Sequence, residues 1–206
     1  MNTQIKQEGL VWDLPTRLFH WILVLCFAGA WLTAESEVWK LWHVSFGYTM
    51  AVLLAFRLVW GVAGTRYARF RQFVKGPAAI KSQLISYVSG KPEHHVGHNP
   101  VGALAIVAML VLIGATVASG YANYEGIGGE AFEEIHEAMA NILMGLVLVH
   151  VCAVLAIGLV FKKNLVKSML TGKKAIYAGE AISGAWRSVA IVLLGLVVSV
   201  WWLMFR

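Results

Sequence analysis

"HEAMANILMGLVLVH", residues 136–150, opens and closes on histidine and holds almost nothing but small and apolar side chains between. On an α-helix, fourteen steps make just under four turns, so His136 and His150 share one face. Their backbones lie about 21 Å apart along the axis. A bilayer's hydrocarbon core is roughly 30 Å thick. The spacing puts one imidazole near each membrane surface, so whatever the pair binds is bound twice.

Composition supports a bilayer setting. Of 206 residues, 59% are hydrophobic and only 14% charged, and the mean hydropathy is +0.68. Such values belong to membrane proteins rather than soluble domains. Nine Trp and six Tyr suit residues placed at two membrane–water interfaces. Cys26 and Cys152 lie in apolar stretches and read as small buried residues, not as a disulfide or metal pair.

Five stretches are long enough to cross: 18–34, 43–64, 101–121, 132–161 and 185–205. The first is kept as a retained helix, because Asp13 and Arg17 crowd its start and "TAESE" is a poor cleavage site. Arg66, Arg69, Arg71, Lys75, Lys81 and Lys91 follow the second stretch; Lys162, Lys163, Lys167, Lys173 and Lys174 follow the fourth. The other loops carry Lys40 against Glu35, Glu37, Glu125, Glu130, Glu133, Glu134 and Glu137. The positive-inside rule then sets the N-terminus in the cytoplasm and the C-terminus outside, in a multi-pass membrane protein. This asymmetry also explains the net charge of +6 without nucleic acid. In the long basic loop, Ile80, Leu84, Tyr87 and Val88 repeat at helical spacing and predict a short helix on the membrane surface.

With that topology His43 and His136 share the outer level, while His20 and His150 share the inner one. A bland reading makes each a hydrogen-bonded core histidine. Four ionisable groups at two matched depths in an apolar bundle favour a functional one. Zinc would need four converging ligands; a haem brings its own four nitrogens and needs two axial imidazoles. The layout therefore predicts two non-covalent b-type haems, outer on His43/His136 and inner on His20/His150. No CxxCH motif occurs. Gly47, one turn from His43, and Gly145, between His136 and His150, would open a flat slot for the porphyrins.

Arg57 lies fourteen residues after His43, hence on the same face and near the inner level. A guanidinium at that depth is expected to pair with a haem propionate or a structural acid, unless it snorkels to the headgroups. Arg17, one turn before His20, carries the same two readings. His94, His95 and His98 form "HHVGH"; a metal site or a proton-accepting group beside a quinone is set against a solvated loop whose His98-Asn99 caps the third helix before Pro100. The solvated loop is the expectation.

Several motifs together carry a family likeness: "VWDLPTRLFHW" (11–21), His43 ahead of "GY", Arg57 before "WG", "YARF", "GHNP" and the paired His136 and His150. They resemble the bacterial cytochrome b561 superfamily, and within it the b-type cytochrome subunits associated with nickel–iron hydrogenases. The resemblance spans residues 10–165 and implies a four-helix core with two haems, axial ligands at His20, His43, His136 and His150, and electron exchange with membrane quinone. It implies a di-haem core at 1–165, leaving 166–206 as a cytoplasmic connector and a fifth helix that is a brace, a partner contact or part of a homodimer interface.

The expected function is electron transfer across the membrane between quinone and a periplasmic redox protein, a hydrogenase or a cytochrome c. A superoxide:quinone oxidoreductase ranks second, because seven outer glutamates repel an anion. A haem-free transporter or scaffold ranks third. Trp12, Trp42, Tyr121 and Tyr124 are candidates for a quinone pocket, with nothing in the sequence to choose among them.

Overall fold

The computed structural model describes residues 6–90 and 95–206; His94 lies outside them. A short strand, β1 (Gln7–Leu10), leads into α1 (Leu14–Thr33), and a 3-10 turn at Glu37–Trp39 leads into α2 (Lys40–Ala63). Two short helices, α3 (Phe70–Phe73) and α4 (Pro77–Val88), precede α5 (Pro100–Tyr124) and α6 (Glu130–Phe161). The chain closes with α7 (Leu165–Thr171), β2 (Lys173–Ile176) and α8 (Arg187–Met204). The five long helices α1, α2, α5, α6 and α8 are each apolar and long enough to span a bilayer, so the protein is a multi-pass all-α membrane bundle. The lysine- and arginine-rich loops gather at one end, the basic end, and the glutamates of the α1–α2 and α5–α6 connections at the other, the acidic end.

Helix α1 starts four residues before the apolar run does. Asp13 accepts a hydrogen bond from the Thr16 amide at 2.7 Å, and Pro15 sits in the first turn, the residue types that open a helix. Asp13 is buried and also accepts from the Trp60 indole and the Thr65 hydroxyl, tying the start of α1 to the end of α2. Asp13→Ala removes a cap, about 0.5–2 kcal/mol, and strands two buried donors, about 1–3 kcal/mol each. We expect a clearly lower melting temperature in detergent, with Asp13→Asn losing less; equal melting of Asp13→Ala and the parent chain would refute this.

Packing divides the bundle into a close α1/α2 pair and a close α5/α6 pair, joined through α2 and α5, with α8 laid against α1 and α2. A central cluster holds Cys26, Ala30, Met50, Ile113 and Leu143. A second, of Phe19, Leu53, Leu110 and Leu193, ties α8 in. Where α8 reaches the acidic end, Trp201 and Phe205 pack on Trp42 at 5.4 and 5.1 Å, an aromatic belt at the depth where indoles settle. Toward this chain, then, the fifth helix is a brace. Its opposite flank, with Ile191, Val192 and Val198, is exposed.

Helix α6 behaves differently. Leu143 is its single fully buried residue, and it lies seven residues from each of His136 and His150, on their face. Cys152, expected to be buried, is instead on the open flank of α6, whereas Cys26 is in the core. Both spans are equally apolar, and hydropathy does not separate a core-facing position from a lipid-facing one.

The basic end carries a cap absent from the sequence reading. β1 and β2 pair antiparallel, with Gln7 opposite Ile176 and Leu10 opposite Lys173. The amides of Val11 and Trp12 donate to the Gly172 carbonyl at 2.8 and 3.0 Å. Gly172 has φ +82, and a Cβ there would come within 2.7 Å of the Trp12 carbonyl oxygen, so this position admits only glycine. Four-residue strands without alternation, paired across almost the whole chain, leave no local signal. The expected surface helix is α4: Leu84 and Val88 are exposed, while Tyr87 stacks on Phe161 of α6 at 5.7 Å.

Candidate functional site

At the acidic end the rings of His43 (α2) and His136 (α6) face each other, centroids 6.0 Å apart and planes at 84°. Each Nδ1 meets a backbone carbonyl: His43 at Ala30, 2.9 Å, and His136 at Thr116, 2.8 Å. A carbonyl only accepts, so both Nδ1 atoms carry the proton and each Nε2 presents a bare lone pair. Donation of the second ring N–H to a carbonyl is the usual way a protein aims a metal-binding imidazole and raises its basicity. Two imidazoles bound through Nε2 at about 2 Å to opposite sides of one ion would have centroids about 6 Å apart. The outer pair fits that requirement.

Gly120 of α5, absent from the sequence reading, makes this geometry possible. A Cβ on it would come within 2.7 Å of His136 Cε1 and 2.8 Å of Nδ1. Beside it, the Ser119 hydroxyl donates to the Ala115 carbonyl at 2.8 Å and lies 3.5 Å from His136 Nδ1. At Gly47 and Gly145, by contrast, an added Cβ meets nothing within 4 Å. The helix surfaces there have room for a flat group beside the imidazoles.

Toward the basic end His20 (α1) and His150 (α6) stand close enough to interact electrostatically. His20 Nδ1 is buried without a partner, and its ring meets Trp21 edge-on at 5.0 Å. Arg57 does not snorkel: it is 3% exposed, its guanidinium lies 4.8 Å from the Phe70 ring and 5.9 Å from Phe73, and its Nη1 has no partner. Asp13 is near but occupied by Thr16, Trp60 and Thr65. Arg17 donates through Nη1 to the Leu170 carbonyl at 2.6 Å, while its Nε is buried and unpartnered. The buried, unsatisfied nitrogens of this level suit an anionic group with several acceptor oxygens.

The histidine-rich connector departs from the solvated loop expected of it. His98 is sandwiched between Trp12 at 4.5 Å and Phe73 at 4.7 Å, and His95 Nε2 lies 2.5 Å from Gln83 Oε1. Burial first, then the charges of Arg57 and Lys174, push the His98 imidazole down to about 3. Asn99 does cap α5, accepting from the Gly102 amide at 2.8 Å. Of the quinone candidates, Trp12 is buried in the cap, whereas Trp42, Tyr121 and Tyr124 are exposed at the acidic end. Among the described residues, no three His, Cys, Asp or Glu side chains converge as a bare metal ion would require. Two facing imidazoles suffice for an ion that arrives with four in-plane nitrogens.

Residues 11–172 match the family described as prokaryotic cytochrome b561. The chain is 26% identical over 141 residues to the probable Ni/Fe-hydrogenase 1 B-type cytochrome subunit of Escherichia coli K12, covering 55% of this chain and 59% of that protein. It is 31% identical over 152 residues to the corresponding probable subunit of Azotobacter chroococcum, covering 60% and 63%. With that of Rhizobium leguminosarum it shares 22% over 215 residues, covering 82% and 90%. Against the Escherichia coli and Azotobacter proteins the match spans about three-fifths of their length. No solved structure matches. With most of its length inside one family and facing imidazoles in a five-span apolar bundle, the chain belongs to the prokaryotic cytochrome b561 family.

Proposed function

We propose that the protein holds two haems at two depths and passes electrons from a periplasmic redox protein to membrane quinone. The observation that carries this is the facing His43 and His136 pair, each with Nδ1 committed to a carbonyl. His43 and His136 are the outer axial ligands, and His20 and His150 the inner ones. Gly47 and Gly145 leave room for the porphyrin planes, Arg57 takes an inner propionate, and the buried Nε of Arg17 adds a donor on the same side. Leu143 separates the two levels. Residues 1–165 form the di-haem core, and 166–206 cap its basic end and brace α1 and α2.

Haem supplies a one-electron iron couple when bound. The surrounding residues set its direction. Ala30 and Thr116 pull on the Nδ1 protons of His43 and His136, which enriches those imidazoles and favours oxidised iron. Arg57, a buried cation at the other level, favours reduced iron there. Both biases run from the acidic end to the basic end. By the positive-inside rule the basic end is cytoplasmic, in the inner membrane, so electrons enter from the periplasm and leave to quinone on the inner side. The acidic face attracts a basic partner at rates that fall with ionic strength. The relatives' description as Ni/Fe-hydrogenase cytochrome subunits points to a hydrogenase.

The ring geometry has a spectroscopic consequence. An iron held between imidazole planes at 84° would have the two d orbitals that overlap with them nearly equal in energy. The oxidised outer centre therefore gives a strongly anisotropic low-spin EPR signal, which His43→Ala abolishes while a second low-spin signal stays. A spectrum that His43→Ala leaves unchanged overturns the outer assignment. Potentiometric titration of Arg57→Gln tests direction: the inner midpoint falls toward the outer one, and an unmoved inner midpoint removes the proposed bias.

A further inference from the structure

We propose that His98, carried by the connector between α4 and α5, joins Arg57 as the receptor for the inner haem's propionate, so that the inner site is completed from outside the helix bundle. This rests on the di-haem reading above.

His98 is built in rather than displayed. Trp12 and Phe73 grip its ring from two sides. Its backbone is pinned as well: Lys174 Nζ donates to the carbonyls of Val96 at 2.8 Å and Gly97 at 3.4 Å, and Asn99 starts α5 immediately after it. A Cβ at Gly97 would come within 2.9 Å of the Tyr67 ring, so this turn is pressed against the cap. Inside this frame His98 Nδ1 is buried and has no partner. A buried polar nitrogen left unpaired is costly, and this one is held in a fixed position.

Arg57 borders the same Phe73 ring as His98 and has its own buried, unpartnered Nη1. His98 lies within electrostatic reach of Arg57, His20 and His150, which puts it at the inner level. Among the described residues the nearby acids are spent: Asp13 on Thr16, Trp60 and Thr65, and Glu180 on the Tyr177 amide at 2.8 Å. A cationic donor and a neutral imidazole nitrogen, both unsatisfied, thus share an aromatic wall beside the inner imidazole pair, with no free acid among the described residues to take them. A carboxylate has the two oxygens this arrangement requires, and the propionate is the carboxylate that bis-imidazole ligation at His20 and His150 brings to this level. The neutral imidazole contributes a hydrogen bond without a second buried positive charge, which Arg57 would oppose.

The test uses the purified full-length chain carrying His98→Phe, which keeps an aromatic ring between Trp12 and Phe73 but removes the donor, and His98→Gln, which keeps a donor. Haem content, both midpoint potentials and the propionate bending mode in resonance Raman are measured. For His98→Phe the expected result is two haems per chain, a shifted propionate mode, and an inner one-electron equilibrium moved about tenfold toward the oxidised form, about 59 mV. The outer midpoint stays in place, and His98→Gln recovers most of the change. Should His98→Phe lose the inner haem, recovery by His98→Gln supports the proposal and failure of both variants overturns it. An unchanged propionate mode and inner midpoint in a normally loaded His98→Phe overturn this inference alone. Retention of the inner low-spin haem by His150→Ala overturns the inner ligand assignment, and this inference with it.

Discussion

His150→Ala is expected to purify with one haem b per chain in place of two, with the inner low-spin signal gone and the outer one intact. Alanine is the best helix former, and α6 is buried at Leu143 rather than at His150, so the helix survives the change. What would disappear is one of the two protein ligands proposed for the inner level, leaving His20 as the remaining one. The outer pair stands about 21 Å away along α6, its rings fixed by Ala30 and Thr116, and has no reason to respond. On the proposed route, electron delivery to quinone is expected to fall to background, because the outer centre would lose its relay. Haem content by pyridine haemochrome, with the low-spin EPR signals counted, checks this; a variant that keeps both signals contradicts it.

Gly120→Val is expected to give the opposite loss, emptying or disordering the outer level while the inner one stays loaded. The first atom of the new side chain would stand 2.7 Å from His136 Cε1, closer than side-chain carbons approach anything. The imidazole has to swing away and abandon its 2.8 Å contact with the Thr116 carbonyl. That takes Nε2 off its aim, and a displacement of about an ångström in a positioned group is severe. Gly120→Ala produces the same change in smaller degree, seen as a weakened or altered anisotropic EPR signal. Full retention of that signal in Gly120→Val would show that the aim of His136 is set elsewhere.

These two effects mark what was legible in the sequence and what was not. His136 and His150 could be placed because a helix converts a spacing of fourteen into a shared face, and the charge asymmetry of the loops fixed which other histidine matched each depth. The placement of Arg57 toward the basic end was legible for the same reason. Leu143, midway between the two histidines, follows from the same arithmetic once α6 is seen to rest on it. Gly120 gave a fainter signal: a glycine inside an apolar helix costs about 1 kcal/mol against alanine and so marks a close approach, but the group approaching it belongs to the next helix.

His98 was misread because "HHVGH" is polar and turn-rich, the pattern of a solvated loop. Its partial burial comes from Trp12 and Phe73, distant along the chain, and from a two-stranded sheet joining residues 7–10 to 173–176. Local pattern carries no trace of such partners. Cys152 illustrates the same limit within a span, where every face of the helix is apolar and only the fold decides which one meets lipid.

The most direct measurement is the ratio of haem b to polypeptide in the purified, unmodified chain, from pyridine haemochrome absorbance against quantitative amino-acid analysis. Two per chain, both low-spin, is the expected result. A ratio of one or below in fully loaded protein, or a high-spin centre at either level, would contradict paired imidazoles at two depths.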